Sequence, residues 1–179
     1  QQLAIKHDLY LLSNTTHGLV VAMAGLALEG IFLEAGMSTY PPYSKLPHWP
    51  HGNGFQSTSL LTHVDPITGS VDDISKSRLL PVIVDAAQSF ATLRYHSFLN
   101  NTDIFLCPLH KHAGVIAGLG LFAINTEFIA PSLRALVATA EIGTNSLCLL
   151  AKARKRITTL DERLFNTLIL PMGNNFQER

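Results

Sequence analysis

LLPVIVDAAQ, residues 79–88, contains the clearest structural signal in the sequence, an apolar run that stops at a carboxylate. Residues 79–84 are rich in branched apolar side chains, which is typical of a strand buried on both faces of a sheet. Such strands occur mainly in parallel sheets that are covered on both sides. The segment therefore predicts a buried strand with Asp85 at its carboxyl end.

Apolar segments on either side of this strand extend the prediction. We expect further strands at residues 9–13, 31–33, 59–63, 103–107 and 115–124, and helices at residues 19–28, 71–77, 131–136 and 145–157. Residues 38–54 are rich in proline and glycine, which predicts a functional or mobile loop. Strands that alternate with helical segments favour an α/β fold with a mostly parallel sheet.

The composition predicts one folded domain. The 179 residues are 47% hydrophobic and 15% charged, which allows a sizeable buried core. Thirteen Lys and Arg balance thirteen Asp and Glu without a basic stripe, so neither nucleic acid nor a membrane surface is an expected partner. Both cysteines lie in apolar runs, and no signal peptide is visible. We therefore expect a soluble, cytoplasmic protein.

Polar side chains follow several of the predicted strands. Ligands of parallel α/β sheets bind at the carboxyl ends of the strands, so these residues are candidates for a site. They are Thr15, Thr16 and His17 after the first strand, His63 and Asp65 after another, Asp85 and Gln88 after the buried strand, and His110, Lys111 and His112 after residues 103–107. Polar residues at several strand ends predict one shared site.

Asp85 and Lys111 are the two members of this set that most need an explanation. A carboxylate at the end of a buried strand needs a partner, or it caps a helix that follows. A lysine between two histidines is a surface residue of a turn, or partial desolvation and neighbouring charge lower its pKa, as covalent chemistry at an amine requires. Both pairs of alternatives remain open from these residues alone.

Considered together, the two residues suggest a bound cofactor. Pyridoxal 5'-phosphate (PLP) needs a lysine for its aldehyde, an acid for its pyridine nitrogen and donors for its phosphate. Thr16, with the amides of His17 and Gly18 at the start of a helix, offers a phosphate site. Gln88 follows Asp85 by about one helical turn and could reach the hydroxyl of the cofactor ring.

Five short motifs, in order along the chain, resemble those of the class V aminotransferases, a family of fold type I PLP-dependent enzymes. They are NTTHG at 14–18, HVDPITG at 63–69, VDAAQS at 84–89, His110-Lys111 with glycines at 114, 118 and 120, and Gly143-Thr144. The spacing between Asp85 and Lys111 is also similar to that of the family. The chain resembles the large, cofactor-binding domain, which implies a three-layer α/β/α fold.

The resemblance implies a role for each matching residue. Lys111 would form the internal Schiff base and then act as the base that moves the α-proton of the substrate. Asp85 would pair with the pyridine nitrogen, and Gln88 would bond the ring oxygen. His110 would assist at the phosphate or at Asp85.

The resemblance also implies further cofactor-binding residues and a partner subunit. The additional binding residues are Thr15, Thr16, His17 and His63, with Tyr40, or Tyr43 in its place, stacked on the ring. Gly143 and Thr144 would reach the phosphate in a partner subunit, which implies a homodimer with shared sites. No metal is implied, because the histidines at 48, 51, 63, 110 and 112 lack a tight ligand pattern such as HExxH.

The resemblance divides the chain into residues 1–160, a shortened PLP-binding large domain, and residues 161–179, a tail or the remnant of a small domain. It implies a PLP-dependent enzyme that acts on an amino acid or amine, with transamination as the first expected reaction. The alternatives are a PLP-dependent epimerase, lyase or desulfurase on the same scaffold, and a non-catalytic module that keeps the fold.

Overall fold

The computed structural model describes residues 6–34, 43, 56–76, 81–92, 100–112 and 119–141. Within these ranges the chain forms six β-strands, two α-helices and one 3₁₀ turn. The strands are β1 (His7–Leu12), β2 (Ile31–Glu34), β3 (Gln56–Thr62), β4 (Ile83–Asp85), β5 (Ile104–Pro108) and β6 (Gly120–Asn125). The helices are α1 (Thr15–Leu28) and α2 (Pro131–Ala140), and the 3₁₀ turn comprises Ile74–Lys76.

The six strands form one sheet in the order β1-β6-β5-β4-β3-β2. Strands β2 to β5 are parallel neighbours, whereas β6 is antiparallel to both β5 and β1. Five of these strands therefore end at the same edge of the sheet, where β6 begins. The register places Thr62, Asp85 and Leu106 side by side at this edge. The predicted α/β fold with a mostly parallel sheet is confirmed.

Hydrophobic side chains cover both faces of the sheet. On one face, α1 and α2 pack together over a buried cluster that includes Ile83. On the other face, Ile74 of the 3₁₀ turn and Phe90 cover a second cluster that includes Val84. Successive side chains of β4 point to opposite faces, and both faces are covered, so the strand is apolar at consecutive positions. The sheet thus has packed layers on both sides, as the predicted three-layer fold requires.

Helix α1 begins earlier than predicted because Asn14 caps it. The Asn14 side chain accepts a hydrogen bond from the His17 amide (2.8 Å), so Thr15 is the first helical residue rather than residue 19. Apolar residues occupy most of the helix, since much of its surface packs on the sheet and on α2. In the described part of the chain, no helix is long and apolar enough to cross a membrane.

The predicted helix at residues 71–77 is wrong over most of its length. Val71 forms a β-bridge with Val64, and the Asp72 amide donates to the His63 carbonyl (2.9 Å), so this segment folds back along the loop after β3. Only the 3₁₀ turn remains helical. Several predictions lie outside the described residues: the loop at 38–54 apart from Tyr43, the helix at 145–157 and the domain boundary at 160.

A side chain at the end of α1 caps the start of α2. Ala130, the N-cap residue of α2, makes no side-chain hydrogen bond. Glu29, the C-cap residue of α1, instead accepts hydrogen bonds from the amides of Ser132 (2.6 Å) and Leu133 (3.3 Å). These amides have no partner within the helix, and a carboxylate at this end also interacts favourably with the helix dipole. Glu29 therefore joins the two helices.

We expect Glu29→Ala to lower the free energy of unfolding by about 1–2 kcal/mol, because it removes this cap. Urea denaturation followed by circular dichroism measures the loss. The control is Glu127→Ala, which removes an exposed carboxylate and should change the free energy by less than about 0.5 kcal/mol. Equal effects of the two substitutions would show that Glu29 does not stabilise α2 as a cap.

Candidate functional site

A cavity of about 230 Å³ opens at the edge of the sheet where the parallel strands end. Parallel α/β sheets bind their ligands at this position. Seven residues named from the sequence line the cavity: Thr15, Thr16, Tyr43, Asp85, Gln88, His110 and Lys111. The structure thus brings together side chains that follow three different strands.

The N-terminus of α1 forms one wall of the cavity. Asn14, Thr15 and Thr16 line it, and the Thr15 hydroxyl is buried with no hydrogen-bond partner among the described residues. The amides of His17 and Gly18, which the sequence suggested for a phosphate, instead donate to the side chain and the carbonyl of Asn14. The helix dipole still makes this end of α1 attractive to anions. A buried hydroxyl at this end is suited to bind a phosphate or carboxylate group.

Gly120 allows this wall to lie close to the sheet. It is the first residue of β6 and pairs with both Leu12 of β1 and Pro108 of β5. A Cβ atom at this position would lie 2.7 Å from the Asn14 carbonyl carbon and 3.0 Å from the Thr15 nitrogen, which is too close for ordinary packing. Any side chain here would push the start of α1 away from the strand ends.

Asp85 faces the cavity from a buried position at the end of β4, with 5% of its surface exposed. Burial raises the pKa of its carboxyl, while the Ala87 amide, the Tyr43 hydroxyl and the charge of Lys111 act in the opposite direction. The Ala87 amide donates to Oδ1 at 2.8 Å. The structure therefore supports both alternatives for Asp85, which caps the turn after β4 and also lines the cavity. Buried carboxyls with shifted pKa values are characteristic of functional sites.

Lys111 and His110 lie in the turn after β5, and both are exposed. Solvent therefore reaches the Lys111 amine, in contrast to the partial desolvation considered from the sequence. The positive charge of Lys111 nevertheless acts on Asp85. Burial, and then the charge of Lys111, lowers the pKa of His112. Lys111 is thus an accessible amine in the same cavity as a buried carboxyl.

His17 and His63 are not among the residues that line the cavity. The Nδ1 atom of His17 lies 3.0 Å from the Ser13 hydroxyl, a contact with the turn before α1. His63 is buried just after β3, and its amide donates to the Asp85 carbonyl (3.1 Å). The contact of His63 with the Asp85 backbone is therefore structural, and the direct cofactor contacts predicted for both histidines remain predictions.

Tyr43, the substitute for Tyr40 in the sequence prediction, lines the cavity. Tyr40, Gly143 and Thr144 lie outside the described residues. Further lining residues were not chosen from the sequence: Asn14, Thr62, Val64, Pro66, Ala87, Pro108 and Leu119. Thr62 could have been found only from the strand register, which pairs it with Asp85. Within the described ranges, no three His, Cys, Asp or Glu side chains are grouped so that they could hold a metal ion.

Several solved enzyme structures share this fold. Serine palmitoyltransferase of Sphingomonas wittichii aligns with a TM-score of 0.61 at 14% sequence identity, over 89% of this chain and 48% of that structure. A phosphoserine aminotransferase of Cytophaga hutchinsonii aligns with a TM-score of 0.53 at 19% identity, over 93% of this chain and 56% of that structure. A PLP-bound phosphoserine aminotransferase of Trichomonas vaginalis aligns with a TM-score of 0.57 at 10% identity, over 90% of this chain and 55% of that structure.

The fold is therefore that of the large domain of PLP-dependent transferases, and the chain spans about half the length of these structures. At such low identities the similarity shows the fold alone. By sequence, the protein belongs to a family of unknown function, DUF6024, whose family model matches residues 5–170. No curated protein sequence matches it significantly. Membership of the class V aminotransferases stays a prediction.

The buried Asp85 predicts a distinctive dependence of stability on pH. A carboxyl whose pKa is raised by folding binds its proton more tightly in the folded state, so its contribution to stability falls as pH rises from 3.8 through the folded pKa. We expect Asp85→Asn to remove this fall and to be at least as stable as the wild type near neutral pH. Asparagine can still accept the hydrogen bond from Ala87.

Urea denaturation across a pH series measures this difference between the wild type and Asp85→Asn. Asp72→Asn, at an exposed position, controls for the loss of one negative charge. A variant at Asp85 that is less stable than the wild type at every pH would contradict the dominant effect of burial.

Proposed function

We propose that this chain binds pyridoxal 5'-phosphate in the cavity and forms the cofactor-binding domain of an enzyme that transfers the amino group of an amino acid or amine. One observation carries the proposal: Lys111, the buried Asp85 and Thr15 at the start of α1 line the same cavity. These residues would supply the three groups that PLP requires: an amine for its aldehyde, an acid for its pyridine nitrogen and a donor for its phosphate. The fold shared with a PLP-bound aminotransferase supports the proposal.

The residues present fit this cofactor. The phosphate would be held by the amides and hydroxyls of Thr15 and Thr16, beside the close approach of α1 to Gly120. Asp85 would face the ring nitrogen. Gln88, which lines the same cavity, would donate to the ring oxygen.

The groups of this chain would control the position of protons during the reaction. When bound, PLP supplies an electron sink for negative charge at the α-carbon of the substrate. Lys111 is exposed, so a substrate can reach its amine, which would take up and return the α-proton. Asp85, when ionised, would hold a proton on the ring nitrogen, because a buried negative charge attracts an adjacent positive charge strongly. His110 would assist beside Lys111.

Other PLP-dependent reactions use the same groups, so an epimerase, a lyase and a desulfurase are the alternatives within this class. Transfer of a labelled amino group to a keto acid would distinguish transamination from them. Cys107 gives no support to a desulfurase, because it is fully buried and burial raises its pKa. A wild-type chain that binds no PLP would instead favour the remaining alternative, a non-catalytic module.

We also propose that the protein is a homodimer in which Gly143 and Thr144 approach the phosphate site of the partner. Both residues lie outside the described ranges, so the support comes from the resemblance of this motif. A cytoplasmic location also stays a prediction.

Reconstitution with PLP tests the role of Lys111. We expect the purified protein to gain the visible absorbance of bound PLP, and borohydride reduction followed by peptide mapping should place the cofactor on Lys111. Lys111→Ala should lose this attachment and reduce turnover by about 100-fold or more, because the proton-transfer group is removed.

Lys76→Ala is the matched control for this test, since Lys76 is an exposed lysine that pairs with Asp73 (2.9 Å). It should keep both the absorbance and the attachment site. Cofactor attached to a lysine other than Lys111, or unchanged attachment in Lys111→Ala, would refute the assignment.

The phosphate position can be tested at Gly120. Gly120→Ala should weaken PLP binding by about 10-fold or more, because displacement of the α1 N-terminus removes charged hydrogen bonds to the phosphate. Isothermal titration calorimetry measures the dissociation constant. Pyridoxal, which lacks the phosphate, should bind the variant and the wild type with more similar affinity.

Gly25→Ala is the matched control, because it also crowds a backbone but lies further along α1. A Cβ atom at Gly25 would lie 2.9 Å from the Leu133 Cα atom, at the contact between α1 and α2. It should destabilise the fold and leave PLP affinity near that of the wild type. Equal losses of PLP affinity in the two variants would show that Gly120 has no specific effect at the phosphate.

A further inference from the structure

Tyr43 has two environments, one at each end of its side chain. The residue is 2% exposed and belongs to the hydrophobic cluster that α1 and α2 cover. It also lines the cavity together with Asp85, and a hydrogen bond from its hydroxyl lowers the pKa of the Asp85 carboxyl. Packing of the ring therefore holds the hydroxyl at a fixed place beside Asp85. A ring that is anchored in this way is poorly suited to stack on a ligand.

The hydrogen bonds of Asp85 show what this hydroxyl contributes. Of the donors that the described residues provide, the Ala87 amide belongs to the backbone and fixes one oxygen, Oδ1. The Tyr43 hydroxyl is a side-chain donor from a different segment of the chain. A buried carboxylate with too few donors either rotates or takes up a proton. The Tyr43 hydroxyl therefore acts against the rise in the Asp85 pKa that burial causes.

We propose that Tyr43 is a positioning residue, whose hydroxyl orients the Asp85 carboxylate in the cavity wall toward the ring nitrogen of the cofactor. The identity of the ligand rests on the proposed function, whereas the action of Tyr43 on Asp85 does not. Tyr43 acts through Asp85, and this role replaces the stacking role that the sequence suggested for it.

Other titratable groups lie near Asp85, and a test of Tyr43 must leave them unchanged. Lys111 favours the ionised carboxylate through its charge. Cys107 is fully buried and feels the charge of Asp85, but its own pKa is raised by burial, so it stays a neutral thiol near pH 7. His63 contacts Asp85 through a backbone amide and packs beside the same strand end. Tyr43→Phe changes none of these groups and keeps the aromatic ring in the core.

The test measures Asp85 directly in protein without PLP. Aspartate is labelled with carbon-13 at the carboxyl, and the signal of Asp85 is assigned by its loss in Asp85→Asn. We expect Tyr43→Phe to move the titration midpoint of this signal to higher pH, because the lost hydrogen bond favours the ionised form. Tyr10→Phe is the control, since Tyr10 packs against the same hydrophobic cluster and does not line the cavity. It should leave the midpoint unchanged.

PLP binding provides the second measurement. Tyr43→Phe should raise the PLP dissociation constant by about 10-fold near neutral pH, whereas Tyr10→Phe should not. In the Asp85→Asn background, Tyr43→Phe should have little further effect, because the group through which it acts has changed.

An unchanged Asp85 midpoint in Tyr43→Phe would overturn the proposal, and so would an unchanged PLP affinity. A wild-type protein that binds no PLP would instead overturn the proposed function. In that case the carbon-13 titration still decides whether Tyr43 acts on Asp85.

Discussion

The turn between β1 and α1 lies directly on the backbone of β6, and the position of the cavity depends on this contact. Gly120 pairs with Leu12 on one side and Pro108 on the other, so three strand ends meet beneath the turn. The chain leaves β1, crosses this point and enters α1 at Thr15. Because Gly120 has no side chain, α1 begins close enough to the strand ends for its first residues to line the cavity.

The energetic balance at Asp85 follows from the same arrangement. A carboxyl at the end of a strand that is covered on both faces loses most of its hydration, and this loss disfavours its charge. The Ala87 amide and the Tyr43 hydroxyl restore two hydrogen bonds, and Lys111 adds a favourable charge. Burial therefore raises the pKa of the Asp85 carboxyl, and these three neighbours act in the opposite direction with a smaller effect. Small changes around it should alter its protonation, which is a useful property in a group that controls a proton on a ligand.

The fold and the site contribute different parts of the functional argument. Many unrelated activities share one α/β architecture, so similarity to transferases at low identity identifies the scaffold and not the reaction. The site adds chemistry that the scaffold does not require. An exposed lysine, a buried aspartate and a threonine whose hydroxyl has no partner among the described residues line one cavity.

Local patterns in the sequence predict the mostly parallel sheet, the edge of the sheet at which the cavity opens, and the presence of Asp85 and Lys111 there. These features have local signals, because burial on two faces produces a continuous apolar run and a polar residue at its end marks the end of the strand. Only the folded structure shows which side chains from distant parts of the sequence contact one another. It placed Tyr43 beside Asp85, Gly120 beneath Asn14, and Glu29 at the start of α2, 103 residues away in the sequence. Contacts of this kind leave no local periodicity, since they depend on strand order and helix packing rather than on neighbouring residues.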